Sequence, residues 1–514
     1  MHAIAMEVSS LCLVALATVI IFAWFLKKLT AWSTEKSKSK RPRLPPGPWT
    51  LPIIGSLHHL LGGLPHRRMM ELSRLHGPLM FLRFGEVPNV VVSSAEAAEL
   101  VMKTHDLTFA TRPRSATIDV ISGGGKGIAL APYGDHWRQM RKICIVELLS
   151  AKQVKRMESI RSQGVMKLLR SVADAAAASG SGIVNLSNLV AVLSNDITAR
   201  AVFGGMCAQQ GEYRRELGQI VKLIGGFCPA DLFPSSRLVR WLSSGERSLR
   251  KSYGGMQRII DNIIDGRKAE RESHVGCSAE DEDLLSVLLR LREEDSLAFP
   301  LTSESIGAVI TDIFGAGSES SSTTLVWAMS ELMKNPEAMA KAQIEVRKVL
   351  GRGRVVIANA DLGELHYLQM IIKEVLRLHP PATLLVPREA RNNCEIMGYD
   401  IPKGAKINVN AFAISRDPRY WENPETFKPE RFSNNNIDYK GTNFEFTPFG
   451  AGRRLCPGML FGTSTLEIAL ANLLYYFDWV LPDGACPYTL DMSEKFGITV
   501  SRRYDLQLIA IPST

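Results

Sequence analysis

Cysteine is scarce in this chain. There are eight in 514 residues, at positions 12, 144, 207, 228, 277, 394, 456 and 486. No two of them form a C-x-x-C pair, which excludes a disulfide scaffold and a cysteine-based zinc framework. Glycine, 40 in 514, is far too sparse for a collagen-like chain. Long apolar runs are scarcer still. Residues 8–26, VSSLCLVALATVIIFAWFL, are the single uncharged stretch able to span a bilayer core. A polytopic membrane protein is thereby excluded. No internal repeat is present, which removes solenoids and propellers. Acidic residues nearly vanish between 27 and 43, where Lys27, Lys28, Lys36, Lys38, Lys40, Arg41 and Arg43 face Glu35 alone. That stretch carries +6 of the net +9. Little net charge is left for a nucleic-acid surface, and no nucleic-acid partner is expected.

A hydrophobic content of 46% belongs to a folded body. The run at 8–26 is longer than a signal-peptide core and ends in Phe25-Leu26-Lys27-Lys28 rather than at a small-residue cleavage site. It reads as an uncleaved single-pass anchor. The basic flank predicts that the body faces the cytosol and touches anionic membrane lipids. The sequon at Asn185 should then stay bare. Residues 44–55, LPPGPWTLPIIG, hold too many prolines for a helix and read as a stiff hinge. The expected organisation is an anchor at 1–26, a basic linker and hinge at 27–55, and one catalytic domain at 56–514.

Apolar spacing predicts helices at 65–76, 94–104, 134–147, 303–335, 361–379 and about 458–476. A hairpin is expected from 81–84 and 90–92 around Pro88-Asn89, with further short strands at 384–386 and 406–409. The glycine-rich stretch 122–127 lacks a GK[ST] ending and reads as a loop, not a phosphate cradle. Residues 270–283 are charged and read as a surface loop.

The most informative segment is FTPFGAGRRLCPGMLFG at 446–462. It holds Phe449-x-x-Gly452-x-Arg454-x-Cys456-x-Gly458. Cys456 stands just before a helix N-terminus, where the dipole and free N–H groups favour a thiolate. Glu374 and Arg377 share a helix face at i and i+3. Pro429-Glu430-Arg431-Phe432 adds a second arginine. Ala316-Gly317-Ser318-Glu319-Ser320-Ser321 interrupts the long helix with poor helix formers. Trp137 and Arg141 lie one helical turn apart.

These motifs, in this order, resemble the cytochrome P450 family, in particular its plant microsomal branch. The resemblance runs from residue 8 to the C-terminus. It implies a mainly α fold with small β-sheets, the cytochrome P450 fold, preceded by a single-pass transmembrane helix. It implies haem b with Cys456 as axial iron ligand, Phe449 shielding the sulfur, and Trp137, Arg141, Arg388 and Arg454 at the haem propionates. Glu374, Arg377 and Arg431 would form a structural triad. Glu319 and Ser320 would relay protons to dioxygen, the co-substrate. The family usually has threonine where this chain has Ser320, which loses the methyl that restrains the rotamer. Electrons would come from NADPH through a membrane-bound cytochrome reductase, docking near Arg453, Arg454 and Arg141. Ile313, Phe314, Ala316, Thr383, Leu384, Leu385, Val386 and Ile498 would line an apolar pocket for a lipophilic substrate. A terpenoid is favoured over phenolic, fatty-acid or alkaloid substrates. The expected function is a monooxygenase of plant specialised metabolism in the endoplasmic reticulum membrane. A haem-thiolate isomerase or dehydratase and a haem-free membrane scaffold are the alternatives.

Overall fold

The computed structural model describes residues 42–513, apart from 206–208, 224–226, 274–282, 295–296, 298, 352–358 and 434. The apolar run at 8–26, the basic residues up to 41, and Cys12, Cys207 and Cys277 lie outside the described residues. The five described cysteines are free thiols. Among the described residues no helix is long and apolar enough to cross a membrane.

Helix α1, Pro65–His76, opens on a proline at a position whose N–H needs no partner. Strands β1, Leu79–Phe84, and β2, Val87–Val92, form a hairpin. Its turn is Gly85-Glu86, with Gly85 at φ +60°, not the expected Pro88-Asn89. Pro88 sits inside β2 opposite Arg83. It is tolerated there because the next strand pairs only with Asn89 to Val92. Helix α2 is Asp135–Cys144, α3 is Leu186–Phe203 and α4 is Ser244–Ser273. Part of the charged stretch expected as a loop is therefore the last turn of α4. Helix α5, Ser303–Lys334, is capped by Thr302, whose side chain accepts the Ser305 N–H. It ends just ahead of Pro336, which disfavours helical geometry in the residue before it. Helix α6 is His366–Leu378, and the residues before it, Asn359–Glu364, form a separate tighter turn. Strands β3, Arg388–Glu389, and β4, Lys406–Val409, complete a four-stranded sheet in the order β1-β2-β4-β3. The expected strand at 384–386 is a turn instead, with Leu385 at φ +49°. Helix α7, Met459–Tyr476, follows the Cys456 loop. The architecture is mainly helical with small sheets.

Two packing features set up the centre of the molecule. First, the glycines and serines of α5 form a close seam against α3. A Cβ on Gly317 would stand 3.3 Å from Thr198. Ser194 of α3 donates its hydroxyl to the Ser318 carbonyl at 2.8 Å. The poor helix formers are thus held helical by tertiary contact. Second, the proline-rich segment is non-helical and seated on the body. Phe81 N–H donates to the Pro46 carbonyl at 2.9 Å, and Ser56 N–H donates to Arg83. These bonds cover the edge strand β1, which would otherwise present unpaired groups.

Candidate active site

A cavity of about 390 Å³ lies between α5, the Cys456 loop, the turn at Leu385 and the segment before α2. Cys456 forms part of its wall. The loop that carries it is constrained by backbone geometry. Cys456 N–H donates to the Phe449 carbonyl at 3.0 Å. Gly452 has φ +67°, and a Cβ there would come within 2.0 Å of the Met102 carbonyl oxygen, so only glycine fits. Gly458 is the cap residue of α7. Burial pushes the Cys456 thiol up, while the Gly458 N–H and the Arg141 charge pull it back. The sulfur is therefore enclosed, at a helix start, beside a cation. The helix start and the cation favour a thiolate while enclosure opposes it, so the sulfur would be held ionised by a bound metal.

The neighbouring wall is cationic. Arg454 donates to the carbonyls of Ala110 at 2.7 Å and Ala131 at 2.6 Å. Arg388 pairs with Asp106 at 2.8 Å and donates to the Ala451 carbonyl. Arg141 donates to the Leu455 carbonyl. Arg112 spans the Ala129 and Pro387 carbonyls at 3.0 and 2.9 Å. Burial, then Arg388 and Arg141, lower Arg454 to about 9. Burial, then Arg454, Arg388 and Arg141, lower Arg112 well below its ordinary value. Four guanidinium groups thus crowd one wall of an apolar cavity, with Asp106 the carboxylate among them. Such a cluster is balanced by a dianion lying against it. Trp137 is the platform beneath: the Arg454 guanidinium carbon is 4.1 Å and that of Arg141 5.4 Å from its ring centre.

Behind the site, Glu374 and Arg377 are fully buried. Arg377 grips the carboxylate with two donors at 2.7 and 2.8 Å. Arg431 meets the same carboxylate at 3.0 Å, and the Lys428 N–H adds a fourth bond at 2.8 Å. Arg377 also donates to the carbonyls of Ser415 and Pro424. The triad expected from the sequence is assembled, and it ties α6 to the irregular chain leading into the Cys456 loop.

A family model of cytochrome P450 matches residues 45–507. The chain belongs to the cytochrome P450 family. The desmethyl-deoxy-podophyllotoxin synthase of Sinopodophyllum hexandrum is 48% identical over 96% of this chain and 95% of its own. The 5-epiaristolochene 1,3-dihydroxylase of Nicotiana tabacum is 45% identical over 97% and 98%. The premnaspirodiene oxygenase of Hyoscyamus muticus is 44% identical over the same shares. A zebra fish cytochrome P450 solved with abiraterone aligns with a TM-score of 0.74 at 24% identity, covering 87% of this chain and 99% of that one, which shows the fold. With plant enzymes as these relatives, this is a plant P450 monooxygenase. The cationic wall, the enclosed Cys456 sulfur and the intervening apolar cavity fit haem. Haem would supply oxygen-activating chemistry there, held at its iron by the Cys456 sulfur. Arg112, Arg141, Arg388 and Arg454 would hold its two carboxylates.

Of the residues expected in this P450 site, Arg141, Arg388, Phe449, Arg454 and Cys456 line the cavity, as do Ile313, Ala316, Leu385, Val386 and Ile498. Trp137 does not. Its indole N–H donates to the Ile128 carbonyl at 2.9 Å, so it acts on the site through Arg454. Phe314 is a correction. It is buried against Tyr213, 4.6 Å between ring centres, on the far side of α5. Each helical residue turns by about 100°, so a face holding 313, 316 and 320 sends 314 away. Thr383 and Leu384 are corrections too. The left-handed Leu385 swings the chain so that Leu385 and Val386 face inward, while Leu384 packs near Met80 and Leu82. Arg454 is buried, so of the two neighbouring loop arginines only Arg453 offers exposed charge to a reductase.

The reading of the sequence missed Arg112, Asp106 and Asp312. Asp312 was open to detection, since it stands seven residues before Glu319 on the same helix face. Arg112 had no local signal.

Glu319 and Ser320 both face the cavity. Burial raises the Glu319 carboxyl, opposed by Lys495. The Ser320 hydroxyl donates to the Ala316 carbonyl at 2.7 Å, leaving its lone pairs toward the cavity. It can accept a hydrogen bond from water or substrate there, and must release Ala316 to donate one.

Proposed function

We propose that this P450 is an endoplasmic-reticulum enzyme, anchored by residues 8–26, with its body in the cytosol. It inserts one oxygen atom of dioxygen into a lipophilic terpenoid, with electrons from NADPH through a membrane reductase. The apolar cavity over the Cys456 sulfur carries the reading. Ile313, Ala316, Leu385, Val386 and Ile498 leave little for a polar substrate to bond. Two of the relatives bear names that identify them as oxygenases of terpenoids. Membrane contact is supported by an apolar surface near the start of the described chain. Leu238, Trp241 and Leu242 are exposed, as are Trp49 and Leu61. Their segments meet at the β1–β2 turn, where Glu86 N–H donates to the Leu232 carbonyl and Gly85 N–H to Ile54.

Co-expression with a plant reductase in microsomes, fed terpenes and phenolics, tests this function. NADPH-dependent oxygenation of a terpene supports it. Turnover that ignores NADPH and the reductase would replace it by the isomerase reading. A reduced protein with no thiolate-type carbon monoxide spectrum would leave the scaffold reading. For the relay, Ser320→Ala is expected to slow product formation by about ten- to a hundredfold while more NADPH is diverted to hydrogen peroxide. Measuring product and peroxide per NADPH consumed checks this, and unchanged coupling removes Ser320 from proton delivery.

A further inference from the structure

Asp312 is a buried carboxylate that the proposed function does not use. It lies on α5 at the cavity wall, one turn ahead of Ala316. A single oxygen, Oδ2, accepts two backbone N–H groups from the segment before α2, Ile128 at 2.6 Å and Ala129 at 2.9 Å. Those two peptides have a second set of partners. The Ile128 carbonyl accepts Trp137 Nε1 at 2.9 Å and Arg454 Nη1 at 3.3 Å. The Ala129 carbonyl accepts Arg112 Nε at 3.0 Å. One short segment is thus gripped by an anion at its N–H groups and by guanidinium and indole donors at its carbonyl groups. Each bond polarises the next. The segment transmits the position of α5 to the arginine wall.

We propose that Asp312 is a positioning residue for haem retention: through Ile128 and Ala129 it holds Arg112, Arg454 and Trp137 in register with the haem carboxylates.

The contact is confined from the loop side as well. A Cβ on Gly127 would come within 2.1 Å of Asp312 Oδ2. The glycine-rich stretch therefore ends on a residue that must be small for the carboxylate to reach its donors. Burial pushes the Asp312 carboxyl up to about 6, while the Ala129 and Ile128 N–H groups favour its ionised form. The charge is held at a cost by this one contact. Tyr253 and Cys144 both sense it, and neither offers a cation. A fold needing only one acceptor for these two N–H groups gains nothing from the charge.

The test uses the full-length holoenzyme at neutral pH. Asp312→Asn is expected to raise amide hydrogen exchange across residues 127–130 by about tenfold or more. Haem transfer to excess apomyoglobin should accelerate several-fold, with the global unfolding midpoint unchanged or higher. Gly127→Ala is the independent arm. It keeps the carboxylate but pushes it off its donors, so it should speed haem transfer in the wild-type background and much less in Asp312→Ala, where that clash is gone. Wild-type exchange and wild-type haem transfer in Asp312→Asn would overturn the proposal. So would a lowered unfolding midpoint with the two amides still protected, since Asp312 would then support the fold alone. Equal effects of Gly127→Ala in both backgrounds would also overturn it.

Discussion

Replacing Cys456 with alanine is expected to erase the thiolate-type carbon monoxide spectrum and to lower reductase-dependent turnover by about a thousandfold or more. The fold should survive. The loop is shaped by backbone, through the Cys456 N–H bond to Phe449, the positive φ of Gly450 and Gly452, and the start of α7. None of these uses the sulfur. Burying a thiol contributes little more than a small apolar group does, so the substitution costs about 1 kcal/mol of stability. The loss would therefore be that of the sulfur donor to haem, and it separates cleanly from misfolding. Difference spectroscopy, product assay and thermal unfolding on the same preparation check it. Retained NADPH-dependent oxygenation in the alanine variant would show that another residue ligates the iron.

Replacing Glu374 with alanine should act in the opposite way, through the fold. Removing one member of a fully buried ion network leaves the others charged and uncompensated, at a cost of about 3–5 kcal/mol. Here the orphans are Arg377, which is fully buried, and Arg431. That cost is a large share of the roughly 5–15 kcal/mol that holds a typical domain together. The variant should accumulate mainly as aggregated or haem-poor protein. Haem per polypeptide and the unfolding midpoint measure the effect. Arg377→Lys should fall between, because an ammonium keeps the charge but cannot reproduce the two-pronged grip on Glu374 together with the bonds to Ser415 and Pro424. A normal midpoint and full haem content in Glu374→Ala would assign the triad no structural role.

Helix α1 and strand β4 have the bounds expected from local pattern, and α5 ends one residue short of expectation. Each is governed by short-range periodicity and by a proline or a cap at its edge. The hairpin turn was misplaced because Pro88-Asn89 carries turn chemistry, yet Gly85 reaches the left-handed conformation at lower cost. The resemblance places Phe314 in the pocket with Ile313 and Ala316, but the helix face turns it toward Tyr213. Asp312 shares the helix face of Glu319, but only the contact with Ile128 and Ala129 gives it a task.

The Cys456 loop is legible in sequence, and its resemblance to the family's motif is what implies haem-thiolate chemistry. Cys456, its glycines and its helix start lie within a dozen residues, and the chemistry they encode is local. Tertiary structure decided the rest of the site. Arg112 meets Pro387 and Arg454 meets Ala110 across 275 and 344 residues of chain. Whether such arginines are solvated surface charges or a buried cationic wall depends on what closes over them. Burial makes a charge costly and forces it to find partners, and burial is a property of the packed fold that residue spacing does not contain.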